Sequence, residues 1–329
     1  MLLHLTKAEL TMGFWQKAMI SVACSPALRR MGEAVGRKTG LAAQFVSGAN
    51  AADHVARARE LDGQGIRISS FYLGEYVTDP AQVTRTVTQL ADLVPKLDEV
   101  GLDVHVSVDP SQLGYMQDPA MLRNNAQKLA GMIGEIAAGR NDERCRRLMI
   151  DMEDFDMIDD TLVLHDQLRD LGLPVAQTLQ ARLFRTEGDL MRKIDQGAMV
   201  RLVKGAMTPP ASVAFTRRSD IDANYLKLAD MMLSDRARET GFFPVFGSHH
   251  RELLDKIASF ADARGWPRDA FEFEMLYGVN QPLQRDLVSR GYRLRLYAPF
   301  GEDWWAYAWR RVGENSRNLG LLLRSGFNR

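Results

Sequence analysis

The sequence predicts a single α/β domain, a closed (β/α)8 barrel of parallel strands wrapped by helices and preceded by a helical arm. Three observations point there. Strand-length apolar runs and helix-length amphipathic runs alternate from about residue 66 onward, the order that gives a parallel sheet covered by helices. Each kind occurs eight times, the number at which such a sheet closes on itself. No Gly-rich dinucleotide turn follows the first strand, which disfavours the open, doubly wound alternative.

The elements follow in order. Residues 1 to about 60 read as the helical arm, with Val55, Ala58 and Leu61 at helical spacing and Gly63 as a stop. The barrel is expected over 61–329. Its strands are read at 66–73, 103–108, 147–150, 174–179, 199–203, 243–246, 271–276 and 293–298, most of them carrying branched or aromatic residues. Asp79-Pro80 and Asp118-Pro119 look like a helix cap followed by proline in the first turn. The first opens an apolar face of Val83, Val87, Leu90, Val94 and Leu97, and the second one of Leu122, Leu129, Ile133 and Ile136. Further helices fit 161–171, 187–196, 221–233, 250–263, 280–290 and 303–323.

Composition narrows the function. The 42 basic side chains balance the 42 acidic ones, so no global field would gather nucleic acid or an anionic membrane. No run reaches the roughly 18 apolar residues of a spanning helix, and the N-terminus lacks a cleavage site. A cytoplasmic protein is expected, with peripheral membrane contact left open. Cys24 and Cys145 form no zinc or redox spacing. Cys145, among Arg144, Arg146 and Arg147, reads as an exposed basic loop end.

In such barrels chemistry sits where strands end at the carboxyl face. Those positions carry Gly74-Glu75, Asp109, Asp151 with Glu153 and Asp154, Gln180, Lys204-Gly205, Ser248-His249-His250 and Tyr297. A barrel core alone would not require polar groups at nearly every strand end. After Tyr297, Pro299 and Gly301 are read as a turn into a helix bearing Tyr307, Arg310, Arg311 and Glu314 on neighbouring faces. Two adjacent arginines can grip a carboxylate through paired hydrogen bonds. His249 and His250 with the Asp151 group could suggest a metal hydrolase. Too few separated histidines stand at strand ends for that, and His105, inside a strand, reads as packed. Trp304-Trp305 reads as packing against the barrel wall.

Residues 293–315 resemble the last strand and helix of the proline dehydrogenase family, Tyr-x-Pro-Tyr-Gly and then Tyr-x-x-Arg-Arg-x-x-Glu-Asn. RLVKGAM at 201–207, LQA at 179–181, FGSHH at 246–250, FEFEMLYG at 271–278, YLGEYV at 72–77 and IDMED at 150–154 are similar to its other stretches, in order. The resemblance covers roughly residues 40–325. It implies non-covalent FAD and hydride transfer from the carbon beside nitrogen of a proline-like amino acid, with quinone or oxygen as electron acceptor. It also implies roles. Arg201 would approach the reactive edge of the flavin, Gln180 would bond its pyrimidine, and Val203 and Gly205 would offer backbone contacts beside Lys204. Ser248, His249 and Glu314 would contact the cofactor. Arg310 and Arg311 would grip the substrate carboxylate, Tyr297 and Leu276 would wall the ring pocket, and Asp151 would join the charged network at its base.

The chain departs from the family pattern in the substrate pocket. Asp109, in VSVDPSQLG, stands where the family has a lysine that helps neutralise the proline carboxylate. Met207 replaces a tyrosine, Glu274 a glutamine and His250 an asparagine. L-proline is therefore expected to be a poor substrate, and an amine or amino acid with an extra amine or hydroxyl a better one. Two other readings stay open, an oxygen-using oxidase or monooxygenase of specialised metabolism and a non-catalytic flavin-binding paralogue.

Overall fold

The computed structural model describes residues 44–74, 76–206, 209–304 and 307. Eight parallel strands, β1 (Ile66–Tyr72), β2 (Val104–Val108), β3 (Arg146–Ile150), β4 (Val175–Gln180), β5 (Met199–Val203), β6 (Phe243–Gly247), β7 (Glu272–Leu276) and β8 (Arg293–Phe300), close in sequence order, with β8 pairing β1. The expected barrel is the observed one.

Helices follow the strands as the periodicity requires. α1 (Ala51–Asp62) precedes β1 and packs Ala51, Val55 and Ala58 into the main core. α2 (Pro80–Glu99) starts where Asp79 accepts a bond from Ala81 N, and it buries Leu90, Leu93, Val94 and Leu97 completely. α3 (Pro119–Ala138), α4 (Ile158–Asp170), α5 (Thr186–Asp195), α6 (Arg218–Met232), α7 (Asp235–Thr240), α8 (Arg251–Ala263) and α9 (Gln281–Ser289) complete the described set. α7 has no counterpart in the expected pattern; its six residues are too short to show a periodic face. The helix expected over 303–323 lies outside the described residues except at Asp303, Trp304 and Tyr307, the last two of them buried.

One strand boundary is corrected. β8 does not end at Tyr297 with Pro299 as a turn residue. It runs to Phe300, with Pro299 opposite Phe71 and Phe300 opposite Tyr72. β7 ends opposite Tyr297, so the N–H that proline lacks falls where no β7 partner remains. The Pro299 carbonyl accepts bonds from both N–H and O–H of Ser47, tying the segment before α1 to the barrel mouth.

The barrel interior is identified by bonds between strands that are not neighbours. Arg201 on β5 donates to Ser107 on β2, a contact that must cross the inside. Parity then carries residues two apart to the same side. At one level Met149, Ala176, Met199 and Val245 form a small apolar cluster apart from the main core. At the base Arg295, 0% exposed, donates through Nε to Glu272 (2.6 Å), through Nη2 to Asp103 (2.8 Å) and through Nη1 to the Ile68 carbonyl (2.6 Å). The interior thus holds an apolar level and an ionic base, where Arg295 is paired with both Glu272 and Asp103.

Cys145 also needs correction. It is not an exposed basic loop end. It is partly buried, Arg144 pairs with Asp62 and Arg146 with Asp142, and burial pushes its thiol up to about 11.

Candidate active site

The carboxyl ends of β2, β3, β4, β5 and β7 converge on Arg201. This guanidinium, 4% exposed, donates from Nε to Thr178 Oγ1 (3.1 Å) and from Nη1 to Glu274 Oε1 (2.6 Å) and Ser107 Oγ (3.3 Å). Nη2 pairs with Asp151. Among the described residues four of its five N–H groups are thereby engaged, and one on Nη2 is left over. Burial opposes the charge, but Asp151 and Glu274 outweigh it and hold Arg201 firmly protonated. Its guanidinium carbon lies 5.1 Å from the centre of the Tyr297 ring, within cation–π range. Tyr297 O–H donates to Asp151 Oδ2 (3.0 Å), and Thr178 O–H donates to Asp151 Oδ1 (2.8 Å). Tyr297 therefore works from within β8, although not from its end. Burial, then Asp151 and Asp109, keep its phenol well above the usual range.

Among the described residues acidic groups outnumber cations here. Asp109 follows β2 directly and opens a 3-10 turn (Pro110–Leu113), where its N–H donates to Gln112 Oε1 (3.0 Å). Its side chain is buried, and no ion pair joins it to a basic group among the described residues. Burial, then Glu153 and Asp151, push its carboxyl well above the ordinary value against the pull of Arg201. Glu153 accepts from Ser111 N–H (2.8 Å) and O–H (2.7 Å), yet burial still raises its carboxyl. Glu274 is likewise raised by burial, with Arg201 opposing.

The β4–β6 side is shaped differently. Gln180 donates from Nε2 to the Met152 and Glu153 carbonyls (both 3.3 Å), which turns Oε1 the other way as an acceptor. Gly205 has φ +101°, and a Cβ there would stand 2.9 Å from Gln180 Oε1. Only glycine suits that backbone and that approach. Lys204 is ion-paired with Asp222. Ser248 Oγ accepts from His250 N–H (3.1 Å), and His249 Nε2 accepts from Leu276 N–H (3.2 Å), leaving the neutral ring's proton on Nδ1. Among the described residues no group of His, Cys, Asp and Glu is arranged to hold a metal ion. His105 is buried and neutral, as its strand position implies.

Most expected site residues are therefore gathered at one barrel mouth, namely Asp109, Asp151, Gln180, Arg201, Val203, Lys204, Gly205, Ser248, His249, Leu276 and Tyr297. Met207, Arg310, Arg311 and Glu314 lie outside the described residues. Sequence reasoning did not single out Ser107, Thr178 or Ser111. Ser107 and Thr178 stand two residues before Asp109 and Gln180 on their strands, so strand parity carried one step inward would have found them.

The family model for proline dehydrogenase matches residues 54–324. The chain belongs to the proline dehydrogenase family. Proline dehydrogenase of Deinococcus radiodurans is 30% identical over 94% of this chain and 97% of its own length. Proline dehydrogenase 2 of Bacillus subtilis strain 168 is 29% identical over 86% and 89%. In fold, the chain is similar to proline utilization A of Bdellovibrio bacteriovorus inactivated by N-propargylglycine, with TM-score 0.77 and 22% identity over 98% of this chain and 38% of that one. The protein is a proline dehydrogenase-like oxidoreductase acting on a proline-like amine, and no described helix is long and apolar enough to cross a membrane.

Proposed function

We propose that this member of the proline dehydrogenase family is a cytoplasmic, FAD-dependent dehydrogenase that converts a proline-like amino acid to its imine. The observation that carries this reading is Arg201, a buried cation on β5 with one Nη2 N–H left over among the described residues. The mouth suits a flavin on its own features. Gln180 Nε2 spends its bonds on the Met152 and Glu153 carbonyls, leaving Oε1 as an acceptor, and the left-handed Gly205 backbone packs against that oxygen and the Arg182 side chain, where a Cβ would not fit. FAD, when bound, supplies the two-electron acceptor. Arg201 would hold positive charge where negative charge accumulates, and Asp151 and Thr178 keep its plane oriented. Val203, Lys204, Gly205, Ser248, His249 and Glu314 would hold the cofactor. Leu276 and Tyr297 would wall the substrate ring, and Arg310 and Arg311 would take its carboxylate. The amine must be neutral to lose hydride from the adjacent carbon, so turnover rises with pH. The electron acceptor is a quinone or oxygen.

Acid precipitation of the purified protein tests the cofactor, and free FAD in the supernatant is the expected result. Colourless folded protein that takes up no added FAD would sink the reading.

One observation favours a substrate other than L-proline. Asp109 puts a buried acid without a cationic partner among the described residues beside Glu153 and Asp151. Losing the family's cation near a carboxylate removes roughly 2–4 kcal/mol of attraction at moderate dielectric. An amine carrying a second amine or a hydroxyl is the preferred ligand. Anaerobic bleaching with L-proline beside cyclic and basic amines, repeated on Asp109→Lys, decides it; fast, tight reduction by L-proline in the unmodified protein would refute it.

A further inference from the structure

Below Arg201 the barrel contains a line of polar groups with no part in the chemistry above. Arg201 Nη1 donates to Ser107 Oγ (3.3 Å), Ser107 Oγ lies 2.7 Å from Ser69 Oγ, and Ser69 Oγ lies 2.9 Å from His105 Nδ1. All four side chains are buried, on β1, β2 and β5.

The direction of this line follows from what each group can do. A guanidinium only donates. If Ser107 O–H donates to Ser69 and Ser69 O–H donates to His105 Nδ1, every proton along the line has an acceptor. The ring proton then sits on Nε2, which is buried and has no hydrogen-bond partner among the described residues. In the opposite sense Nδ1–H would donate to Ser69 and Ser69 to Ser107. The Ser107 proton would then lack an acceptor among the described bonds, and the Nε2 lone pair would be left unmatched as well. One unmet buried group is favoured over two. Burial, then Arg295, Arg201 and Arg147, keep the imidazole from protonating and reversing the line.

We infer that His105 is a positioning residue, the terminal acceptor of a one-way chain from Arg201 through Ser107 and Ser69. The chain pins Nη1 between Ser107 on β2 and Glu274 on β7, so the guanidinium cannot rotate and its remaining Nη2 N–H faces one direction. The proposed role of Arg201 is needed only for the consequence in turnover; the direction of the chain stands apart from it.

Two measurements test this. In the NMR spectrum of protein labelled with 15N-histidine, with His105 assigned by its loss in His105→Asn, Nε2 is expected to carry the proton and Nδ1 to be the bare acceptor. An Nδ1–H tautomer overturns the inference whether or not the protein turns over any amine, so a failed functional reading is told apart from a failed chain. The second measurement compares His105→Asn, whose amide oxygen restores an acceptor near Nδ1, with His105→Leu, which fills the space without one. The Asn variant should keep kcat within about threefold. The Leu variant, and Ser69→Ala as a milder break, should lose about five- to tenfold in kcat with KM little changed, as expected for one hydrogen bond. A space-filling histidine would make Leu as good as Asn, and equal kcat values for the two would overturn the inference.

Discussion

Replacing Arg201 by glutamine removes the cation that holds Asp151 and Glu274 together among the described residues. The Glu274 contact is 2.6 Å. Charge centres about 4 Å apart at an effective dielectric near 20 give about 4 kcal/mol for each pair. The variant is spared the desolvation of a buried guanidinium, so the net cost should be about 3–5 kcal/mol, as for a broken buried pair. The pH dependence has a definite sign. Burial already raises the Glu274 carboxyl, and Arg201 lowers it more than Arg295 does, so the variant raises it further. A raised carboxyl contributes stability below its unfolded pKa and loses it as pH rises through the folded one. The cost should therefore be full at pH 8 and clearly smaller at pH 5, where the Glu274 carboxyl takes up a proton. Urea unfolding of the purified variant at both pH values is the assay, with Arg201→Gln/Glu274→Gln recovering part of the loss at pH 8. A cost below about 1 kcal/mol at pH 8, or one equal at both pH values, would refute the ionic account of the barrel mouth.

Arg310→Ala and Arg311→Ala should each weaken substrate binding by about 2–4 kcal/mol with flavin content kept; titration of flavin bleaching reads this, and wild-type affinity in both would make the pair structural. Gly205→Ala forces a side chain onto φ +101° and against Gln180 Oε1, at a cost of about 1–3 kcal/mol; flavin content per chain should fall, and full occupancy would count against close cofactor approach there. Cys145, with its thiol pushed up to about 11, should react with a thiol reagent at pH 8 at least about tenfold slower than a small free thiol. Kinetics in a Cys24→Ser background measure this, and a fast reaction would mean the residue is open to solvent.

The barrel was legible because strand and helix periods differ and neither is masked by long insertions. Asp79 announced α2 through a cap that the structure contains, and Pro119 marked the start of α3 although Asp118 makes no side-chain cap bond. Pro299 misled because proline usually ends a strand, whereas here β8 outruns β7 and the missing donor is not needed. The strand-end rule found Asp109, Asp151 and Gln180, whereas Arg201, in the middle of β5, came from the family resemblance. It could not show that Glu274 and Ser107 share Arg201 Nη1, because that pairing spans the barrel and depends on register. Cys145 looked basic and exposed because its arginines were read without Asp62 and Asp142, one of them 83 positions away, which neutralise them.

The most direct test of the central claim is anaerobic mixing of the purified protein with a panel of cyclic and basic amines, L-proline included, while the flavin absorbance is followed. Bleaching by at least one amine oxidisable beside nitrogen, faster at higher pH and lost in Arg201→Gln, is the expected result. A flavin-loaded, folded protein that no amine on the panel bleaches would contradict the account.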